Sequence, residues 1–533
     1  MLVRPTSEVP RRSWLAWAAF LVFLYIAVSI VGWQRTLIPD EIWHLIYASG
    51  PLSDQLDSIR SDLVHPPLAY LLDRWWVEVF GGTDCAVKTL GLVQNLGTLV
   101  LFTALASRIT AWWRLASFLF AVPFLRVGSS VNLVRMYGPL LLWSVAALWL
   151  WELWRERPTT TRLAAWTAVA ILALYTHISG LALLAVFFVV NWVYGPRRWA
   201  FTVAAGIAAL CFLPWVLYVL PVYLTRGIDA NVGWIVKKPL QALGELPFTF
   251  LTGEDPGAAS VDTRVEPQIL RQVLKGSALL LNLALLMVAG GKLAAFWPPR
   301  REDSSEKRWF WICVFLVGIP IAGLLTISAI RRPLFHPRYL LFTLPAYWLL
   351  LTLVGLRGGR AGRVLLLGVI LPWTLVTIGV SLAKNLSPSV ARAGTLHIAQ
   401  AWQDSDLILS EKPIPIGFQV YWEWTRRLKQ TGRFEVLDAP MLEHLRTVLP
   451  GKELASIDLA GVQRIWLFWE RSRDPSGVIA YLQGQGFVKN DAPALQIPTL
   501  LLLTRSISAG PSPAPASSGS APAGLTSRSR TPS

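Results

Sequence analysis

The chain has few charged side chains for its length and almost none inside its long apolar runs. Of its 533 residues, only 15% are Asp, Glu, Lys or Arg, whereas 54% are hydrophobic. A soluble protein carries about a quarter of its residues as charged side chains. The composition therefore excludes a string of soluble domains and predicts a polytopic membrane protein whose outer surface faces lipid.

Cysteine is scarce as well. The three cysteines, Cys85, Cys211 and Cys313, are widely spaced, and two of them lie in apolar runs. Neither a disulfide framework nor a cysteine metal site can be built from residues placed in this way.

Apolar runs that suit a bilayer recur along residues 14–384. A span needs about 20 residues, and 163–194, with His177 as its one ionisable residue, is long enough for two short helices that turn near 176–180. The short run Leu115–Leu125 is interpreted as a further helix. About 11 transmembrane helices result: 14–33, 89–106, 115–125, 136–151, two within 163–194, 199–224, 276–297, 309–330, 339–356 and 364–383.

The net charge of +17 is not gathered into a basic domain, which excludes a nucleic-acid-binding protein. If the N-terminal tail 1–13 is cytoplasmic, the six segments on that side contain 17 Lys and Arg against 6 Asp and Glu. The positive-inside rule favours this asymmetry. It predicts an inner (plasma) membrane protein with a cytoplasmic N-terminus and a periplasmic or extracellular C-terminus.

Three large segments then lie outside the cell or in the periplasm: the first outer loop 34–88, the large outer loop 225–275, and 385–506. The last of these is predicted to be a small α/β domain. Its strands are expected at 407–410, 434–437, 464–469 and 499–504, and its helices at 441–449 and 477–483. Residues 507–533, rich in Ser, Pro, Ala and Gly, are expected to form a disordered tail.

Polar residues near the spans collect at the outer membrane face. This distribution is typical of an active site at the interface, whereas an ion-coupled transporter usually needs charges or broken helices near the midplane. The candidate residues are Asp40, Glu41, His44, His65, Arg135, Tyr137, His177, Arg331, Arg332, His336 and Arg338.

Two motifs in the first outer loop resemble a known enzyme class. The stretch from Asp40-Glu41 to His44 resembles the Asp-Glu motif of the C-type (GT-C) membrane glycosyltransferases. His65-Pro-Pro-Leu resembles the His-Pro-Pro-Leu motif of the protein O-mannosyltransferases (glycosyltransferase family 39) and their bacterial relatives, a superfamily that includes the lipid A aminoarabinose transferases.

Three later motifs stand at similar places in bacterial members of that superfamily: Arg135-Met-Tyr137, Tyr-Thr-His177 and His336-Pro-Arg338-Tyr-Leu. The resemblance covers residues 14–384 in order and topology. The C-terminal domain differs from the lumenal insert of the eukaryotic O-mannosyltransferases, so the resemblance does not indicate the acceptor.

The resemblance implies transfer of a sugar from a polyprenyl-phosphate carrier to an extracytoplasmic hydroxyl or amine, with inversion at the anomeric carbon. Asp40 would be the general base, and Glu41 would orient the acceptor or cap its helix. Acceptor or donor binding would fall to His44, His65, Arg135, Tyr137 and His177. Donor-phosphate binding would fall to Arg331, Arg332, His336 and Arg338.

Several alternatives remain open at this point. No cofactor is implied, although Asp40, Glu41 and His44 could meet a divalent cation. The expected partners are a polyprenyl-phosphate-linked sugar, membrane lipids, and an acceptor that is a protein, a lipid or a glycan. A flippase or transporter of lipid-linked sugars would instead require charges within the spans. A non-catalytic protein of envelope glycan assembly would tolerate the loss of Asp40.

Overall fold

The computed structural model divides the chain into two compact units. The first comprises Met1–Thr395 and Phe418–Asp438, and the second Leu396–Gly417 and Ala439–Ser533. The structure describes residues 11–32, 37, 39–48, 52–126, 129–227, 235, 238–254, 268–293, 305–330, 334–386, 403, 405–410, 445–447, 458–468, 476–490 and 500–506.

The described part of the first unit is helical. Its α-helices are α1 (Arg11–Gly32), α2 (Pro39–Tyr47), α3 (Leu52–Asp62), α4 (Leu68–Phe80), α5 (Asp84–Ile109), α6 (Trp113–Leu125), α7 (Tyr137–Glu156), α8 (Thr160–Thr176), α9 (Gly180–Tyr194), α10 (Arg198–Arg226), α11 (Pro239–Thr252), α12 (Gln268–Leu293), α13 (Ser305–Ile330), α14 (Leu344–Arg357), α15 (Gly359–Leu365) and α16 (Leu371–Leu386). Ser130–Asn132 and Pro337–Thr343 are 3₁₀ segments, and Leu366–Ile370 is a π-helical segment between α15 and α16.

Nine of the predicted spans each coincide mainly with one α-helix. The other two are composite: 339–356 begins in the 3₁₀ segment Pro337–Thr343, and 364–383 includes the π-helical segment Leu366–Ile370. Six segments are long and apolar enough to cross a membrane by length and composition: Arg12–Ile30, Cys85–Ile109, Arg198–Arg226, Ser305–Ile330, Pro337–Arg357 and Gly359–Gly379. Shorter apolar helices include Trp113–Leu125 and Gly180–Tyr194, the two places where the sequence predicted short spans. The predicted class, a helical polytopic membrane protein, is confirmed.

The two outer loops predicted in this unit both contain helices. Residues 34–88 hold α2, α3 and α4, which are too short to cross a bilayer, and α2 carries Asp40, Glu41 and His44 of the site described below. Residues 225–275 hold α11, whose Phe248 and Leu251 are fully buried. Helix α12 begins at Gln268, whereas the sequence placed its span from residue 276.

Tryptophan does more in this unit than mark the membrane interface. Trp112 is exposed, as is common for tryptophan at a membrane interface, but the adjacent Trp113 is buried. The largest buried side chains of the first unit include Trp151, Trp154, Trp166, Trp309 and Trp348. These indole rings fill gaps between helices, where one residue can bury 150–250 Å².

A buried polar network attaches the connection between α6 and α7 to the first membrane helices. Asn95 of α5 donates hydrogen bonds from Nδ2 to the Tyr25 hydroxyl (2.8 Å) and to the Val131 carbonyl (3.0 Å). The Tyr25 hydroxyl in turn donates to Asn132 Oδ1 at 2.8 Å. Because polar groups buried without partners are costly, this network fixes the segment that leads into Arg135.

The second unit contains a five-stranded sheet in the order β2-β1-β3-β5-β4. The strands are β1 (Asp406–Ser410), β2 (Leu445–Thr447), β3 (Arg464–Phe468), β4 (Phe487–Asn490) and β5 (Leu500–Arg505), with α17 (Ser476–Gly484) between β3 and β4. Strand β1 pairs in parallel with β2 and β3, and β5 pairs antiparallel with β3 and β4.

Most of this α/β domain follows the sequence interpretation, but one element is wrong. Residues 441–449 were predicted to be a helix, whereas Leu445–Thr447 form strand β2, because pairing with β1 overrides their local helix preference. Strand β4 was not predicted, and the strand predicted at 434–437 lies outside the described residues. The buried Asp406 fixes β1 against β3, since it accepts hydrogen bonds from Arg464 and from the indole of Trp466.

Candidate active site

Asp40 lies in the first turn of α2 and faces two arginines from distant parts of the chain. Arg338 Nη1 donates to Asp40 Oδ2 at 3.1 Å, and Arg135 Nη1 donates to the Asp40 backbone carbonyl at 2.8 Å. The Asp40 side chain is 46% exposed, whereas that of Arg338 is 14% exposed. A half-accessible carboxylate therefore lies beside two largely buried cations.

The electrostatics of this group keep Asp40 ionised. Burial alone would raise the pKa of Asp40, but the positive charges of Arg135 and Arg338, together with the hydrogen bond from Arg338, hold that pKa below its usual value. Arg135 Nε is buried and has no hydrogen-bond partner among the described residues. The Arg135 guanidinium thus has a donor left for a further anion.

Glu41, next to Asp40, has a different role. Its side chain is fully buried, and its Oε1 accepts the backbone N–H of Val134 at 2.9 Å. Glu41 therefore attaches the start of α2 to the segment that carries Arg135. The sequence left two roles open for Glu41, orienting the acceptor or capping its helix. The contact with Val134 is neither of these, because it joins α2 to another segment of the protein.

His44, one turn further along α2, is also buried. Its Nε2 lies 2.7 Å from Asp73 Oδ2 of α4, and its ring stacks on that of Tyr70 with centroids 4.1 Å apart. Burial lowers the pKa of His44, against the opposing effect of the Asp73 carboxylate. This residue joins α2 to α4 and does not contact the Asp40 carboxylate in any recorded hydrogen bond.

His65 lies between α3 and α4 and is held by the last residue of α3. Its Nδ1 lies 2.8 Å from Asp62 Oδ2, the same oxygen that accepts the Tyr70 hydroxyl at 2.7 Å. Burial alone would raise the pKa of Asp62, but His65 and the two hydrogen bonds lower it to about 2. Pro66 and Pro67 precede α4, where missing N–H groups cost no helical hydrogen bond.

His177 occupies the tight turn between α8 and α9. The backbone N–H of Ser179 donates to His177 Nδ1 at 3.0 Å, and the Ser179 hydroxyl donates to the Tyr339 carbonyl at 3.1 Å. Gly180 opens α9 so close to α8 that a Cβ there would lie 2.7 Å from the Ala173 carbonyl oxygen. The turn therefore needs a glycine to bring His177 into the site.

Aromatic rings connect His177 with the other predicted residues. Its ring centroid lies 5.2 Å from that of His65, 5.8 Å from Tyr137 and 5.7 Å from Tyr339. His336 lies 5.5 Å from Tyr339 by the same measure. Since these residues come from the connections α3–α4, α6–α7, α8–α9 and α13–α14, all four connections meet at one end of the helices.

The structure thus brings together most of the predicted site residues, with two exceptions that it leaves untested. Arg331 and Arg332 lie outside the described residues. Among the residues that are described, no three His, Cys, Asp or Glu side chains are placed to hold a metal ion. The Glu41 carboxylate and the His44 imidazole face Val134 and Asp73 instead.

Sequence reasoning missed residues that support the histidines. Asp62 could have been found, because it precedes His65 by three positions at the end of an amphipathic stretch. Tyr70 and Asp73 gave no such signal, because their partners include a residue of another helix. Tyr339 was part of a recognised motif but was given no role.

The arrangement offers an ionised carboxylate, two guanidinium groups beside it, and two buried imidazoles close by. A carboxylate can accept a proton from a nucleophile. Guanidinium groups can bind phosphate oxygens through forked donors. Both are found where connections between apolar helices meet.

Neither the family models nor the curated proteins include a match to this chain. Solved structures with a similar fold include two of one protein. ArnT from Cupriavidus metallidurans bound to undecaprenyl phosphate covers 92% of this chain and 99% of its own, at 13% identity and a TM-score of 0.46. The apo form of the same protein covers 93% and 100%, at 13% identity and a TM-score of 0.41. The similarity is one of backbone fold.

Proposed function

We propose that this chain is a membrane glycosyltransferase that moves a sugar from a polyprenyl-phosphate donor to an extracytoplasmic acceptor, with inversion and with Asp40 as the general base. The observation that carries the proposal is the ion pair between Asp40 and Arg338, with Arg135 beside it. A base and a phosphate-binding cation must both lie near the anomeric carbon in such a reaction. Here they are 3.1 Å apart.

The donor fits the position of the site. Its prenyl tail stays in the bilayer, so its phosphate reaches only the ends of the membrane helices. Arg338 lies in the 3₁₀ segment Pro337–Thr343, which continues directly into α14. Because Pro337 restricts the local backbone, the guanidinium enters the interface from a fixed position.

The reaction is a single displacement. The acceptor oxygen or nitrogen forms a bond to the anomeric carbon while its proton passes to the Asp40 carboxylate. The bond between that carbon and the phosphate oxygen breaks, and its electron pair leaves with the polyprenyl phosphate. The guanidinium groups of Arg338 and Arg135 neutralise the charge that develops on the phosphate.

The ion pair also links donor binding to the strength of the base. Arg338 lowers the pKa of Asp40 in the free protein, which makes the carboxylate a weak base. When a donor phosphate binds Arg338, its negative charge offsets that of the guanidinium at Asp40. The carboxylate then becomes more basic at the time the acceptor must lose its proton.

The test uses purified full-length protein in liposomes with a panel of undecaprenyl-phosphate-linked hexoses and pentoses. Asp40→Asn is expected to lower the rate of sugar transfer by about 10²–10⁴-fold, the usual contribution of a positioned base. Asp54→Asn is the matched control, because Asp54 is an exposed aspartate on the neighbouring helix α3. If Asp40→Asn keeps more than a tenth of the wild-type rate, Asp40 is not the base.

Lipid and glycan mass spectrometry of a deletion strain, complemented by wild-type protein or by Asp40→Asn, identifies the sugar and the acceptor. The accumulating lipid-linked sugar is the donor, and the glycan that disappears names the acceptor. A flippase would instead leave the donor trapped on the cytoplasmic leaflet. If the chain were a non-catalytic assembly protein, the Asp40→Asn variant would restore the glycan of the deletion strain.

A further inference from the structure

His177 is buried beside the partly buried His65, and the displacement above assigns neither of them a role. Their ring centroids lie 5.2 Å apart. His177 is 1% exposed, and the His65 side chain is 11% exposed. The Nε2 atom of each ring is buried and has no hydrogen-bond partner among the described residues. Buried polar atoms of this kind are rare unless a ligand or a water satisfies them.

The hydrogen bonds on the far side of His65 determine its tautomer. Asp62 is ionised at neutral pH, since its pKa is lowered to about 2. An ionised carboxylate only accepts hydrogen bonds, so the His65 nitrogen 2.8 Å away, Nδ1, must carry a proton. In the neutral ring, Nε2 of His65 is therefore a hydrogen-bond acceptor.

The tautomer of His177 is the opposite one. The Ser179 backbone N–H donates to Nδ1 of His177, so that nitrogen must present its lone pair. Burial, together with the positive charge of Arg135 nearby, lowers the pKa of His177 well below its usual value, which keeps the ring neutral. In a neutral ring with Nδ1 as acceptor, Nε2 carries the proton and is a donor.

Two neighbouring imidazoles thus present one acceptor and one donor. A hydroxyl group needs this combination, because it donates one hydrogen bond and accepts another. One oxygen bridges two nitrogens when each lies about 2.9 Å away, which suits rings whose centres are 5.2 Å apart. A protonated amine or a phosphate oxygen does not match the pair, since the first only donates and the second only accepts.

We propose that His65 and His177 bind one substrate hydroxyl, with His65 Nε2 accepting its proton and His177 Nε2 donating to its oxygen. The proposal rests on the proposed sugar transfer and makes the pair a site that recognises either a sugar hydroxyl of the donor or the hydroxyl of the acceptor. Asp62, Tyr70 and Ser179 act as positioning residues, because they fix the two tautomers.

Charged and titratable groups face the pair from several elements. Asp62 and Tyr70 approach from α3 and α4, Arg135 and Tyr137 from the α6–α7 connection and α7, and Arg338 and Tyr339 from the 3₁₀ segment. The Asp40 carboxylate also lies near His65. If His65 gains a proton, its Nε2 becomes a donor and the match to a hydroxyl is lost.

The first experiment needs no turnover. ¹⁵N-histidine-labelled wild-type protein in lipid is examined by solid-state NMR at pH 8, with His65→Phe and His177→Phe used to assign the signals. We expect a protonated Nδ1 and an unprotonated Nε2 for His65, and the reverse for His177. The same tautomer at both residues overturns the proposal, whether or not the protein transfers sugar.

The second experiment measures kcat/KM with the donor that supports turnover and with its monodeoxy analogues, and then with an acceptor lacking its hydroxyl. With the wild-type protein we expect kcat/KM to be about 10–100-fold lower for one of the deoxy substrates, which is the effect of losing one buried hydrogen-bonding group. With that substrate, His177→Phe and wild type should differ by less than about threefold, because the partner of His177 is gone.

The two substrate arms identify the source of the hydroxyl. An effect confined to one donor analogue places a donor hydroxyl in the pair, and an effect confined to the acceptor places the acceptor there. If the effects on kcat/KM of every deoxy substrate and of His177→Phe or His65→Phe are simply additive, the pair holds only water and the proposal is wrong. If wild type transfers none of the sugars, the proposed function fails, and the NMR result still decides the tautomers.

Discussion

Asp62→Asn is expected to lower the free energy of unfolding at neutral pH. It should also remove the part of the pH dependence of that free energy that comes from the Asp62 carboxylate. The carboxylate accepts hydrogen bonds from His65 and Tyr70, and its side chain is 13% exposed. These contacts lower its pKa from 3.8 to about 2. At about 1.4 kcal/mol per pKa unit, the lower pKa stabilises the folded state by about 2–3 kcal/mol at pH 7.

The sign of the pH dependence follows from the direction of the pKa. The folded pKa lies below the unfolded value of about 3.9, so the ionised group stabilises the fold at every pH above about 4. That contribution is lost as the pH falls from about 4 to about 2. The difference between wild type and Asp62→Asn should therefore be full at pH 7 and pH 5 and small at pH 2.5.

Thermal unfolding followed by tryptophan fluorescence suits this measurement, because the chain contains 27 tryptophans. Asp54→Asn is the control, since Asp54 lies on the same helix α3, is exposed, and accepts only the hydroxyl of Ser53 among the recorded side-chain hydrogen bonds. A loss of stability for Asp62→Asn that is as large at pH 2.5 as at pH 7 would refute the assignment of Asp62 as an ionised partner of His65.

Three further outcomes are expected. Arg338→Lys should lower kcat/KM for the lipid-linked sugar by about 10-fold or more, because Lys lacks the forked donors; if Lys substitutes without loss of activity, Arg338 is only an anchor to lipid head groups. Arg338→Gln should move the acid limb of the pH–rate profile to higher pH, because the pKa of Asp40 rises when the neighbouring positive charge is removed. Glu41→Ala should destabilise the protein by about 1–3 kcal/mol, since the buried N–H of Val134 loses its acceptor, whereas Glu41→Gln should be milder in unfolding and transfer assays. Reporter fusions after Ala383 should be active only outside the cytoplasm, and activity confined to the cytoplasm would contradict the predicted topology.

The helices of the first unit could be predicted because their sequence signal is long and one-dimensional. An uncharged run of about 20 residues has few other outcomes in a protein of this composition. The short run Leu115–Leu125 and the turn near His177 were placed correctly for the same reason. Helix α11 was missed, because Pro239 and Pro247 made a buried helix look like a loop.

The membership of the site could be predicted more fully than its contacts. Asp40, His65, His177 and Arg338 stand at one end of the predicted spans, so their proximity follows from topology. That Arg338 faces Asp40, whereas His44 faces Asp73, depends on how short helices pack after the first span, which periodicity does not specify. The contact of Glu41 could not be predicted, because its partner is the backbone N–H of Val134, and a backbone group far along the chain leaves no signal in the sequence.

The second unit illustrates the opposite limit. Residues 441–449 have an amphipathic pattern that favours a helix when taken alone. Leu445–Thr447 nevertheless pair with β1, because the edge of a sheet offers backbone partners that a local pattern cannot reveal. Strand β4 was missed for the same reason, since only Phe487 of its four residues is buried.

The ion pair between Asp40 and Arg338 joins residues 298 positions apart, which has a consequence for biogenesis. The carboxylate is synthesised on α2, but its cation follows only after α13 has been made. In a transferase of the proposed kind, the nascent chain therefore carries a base without the group that holds the donor phosphate. Translation that stops before Arg338 leaves a membrane-embedded fragment unable to consume the lipid-linked sugar, so the supply of donor is reserved for finished molecules.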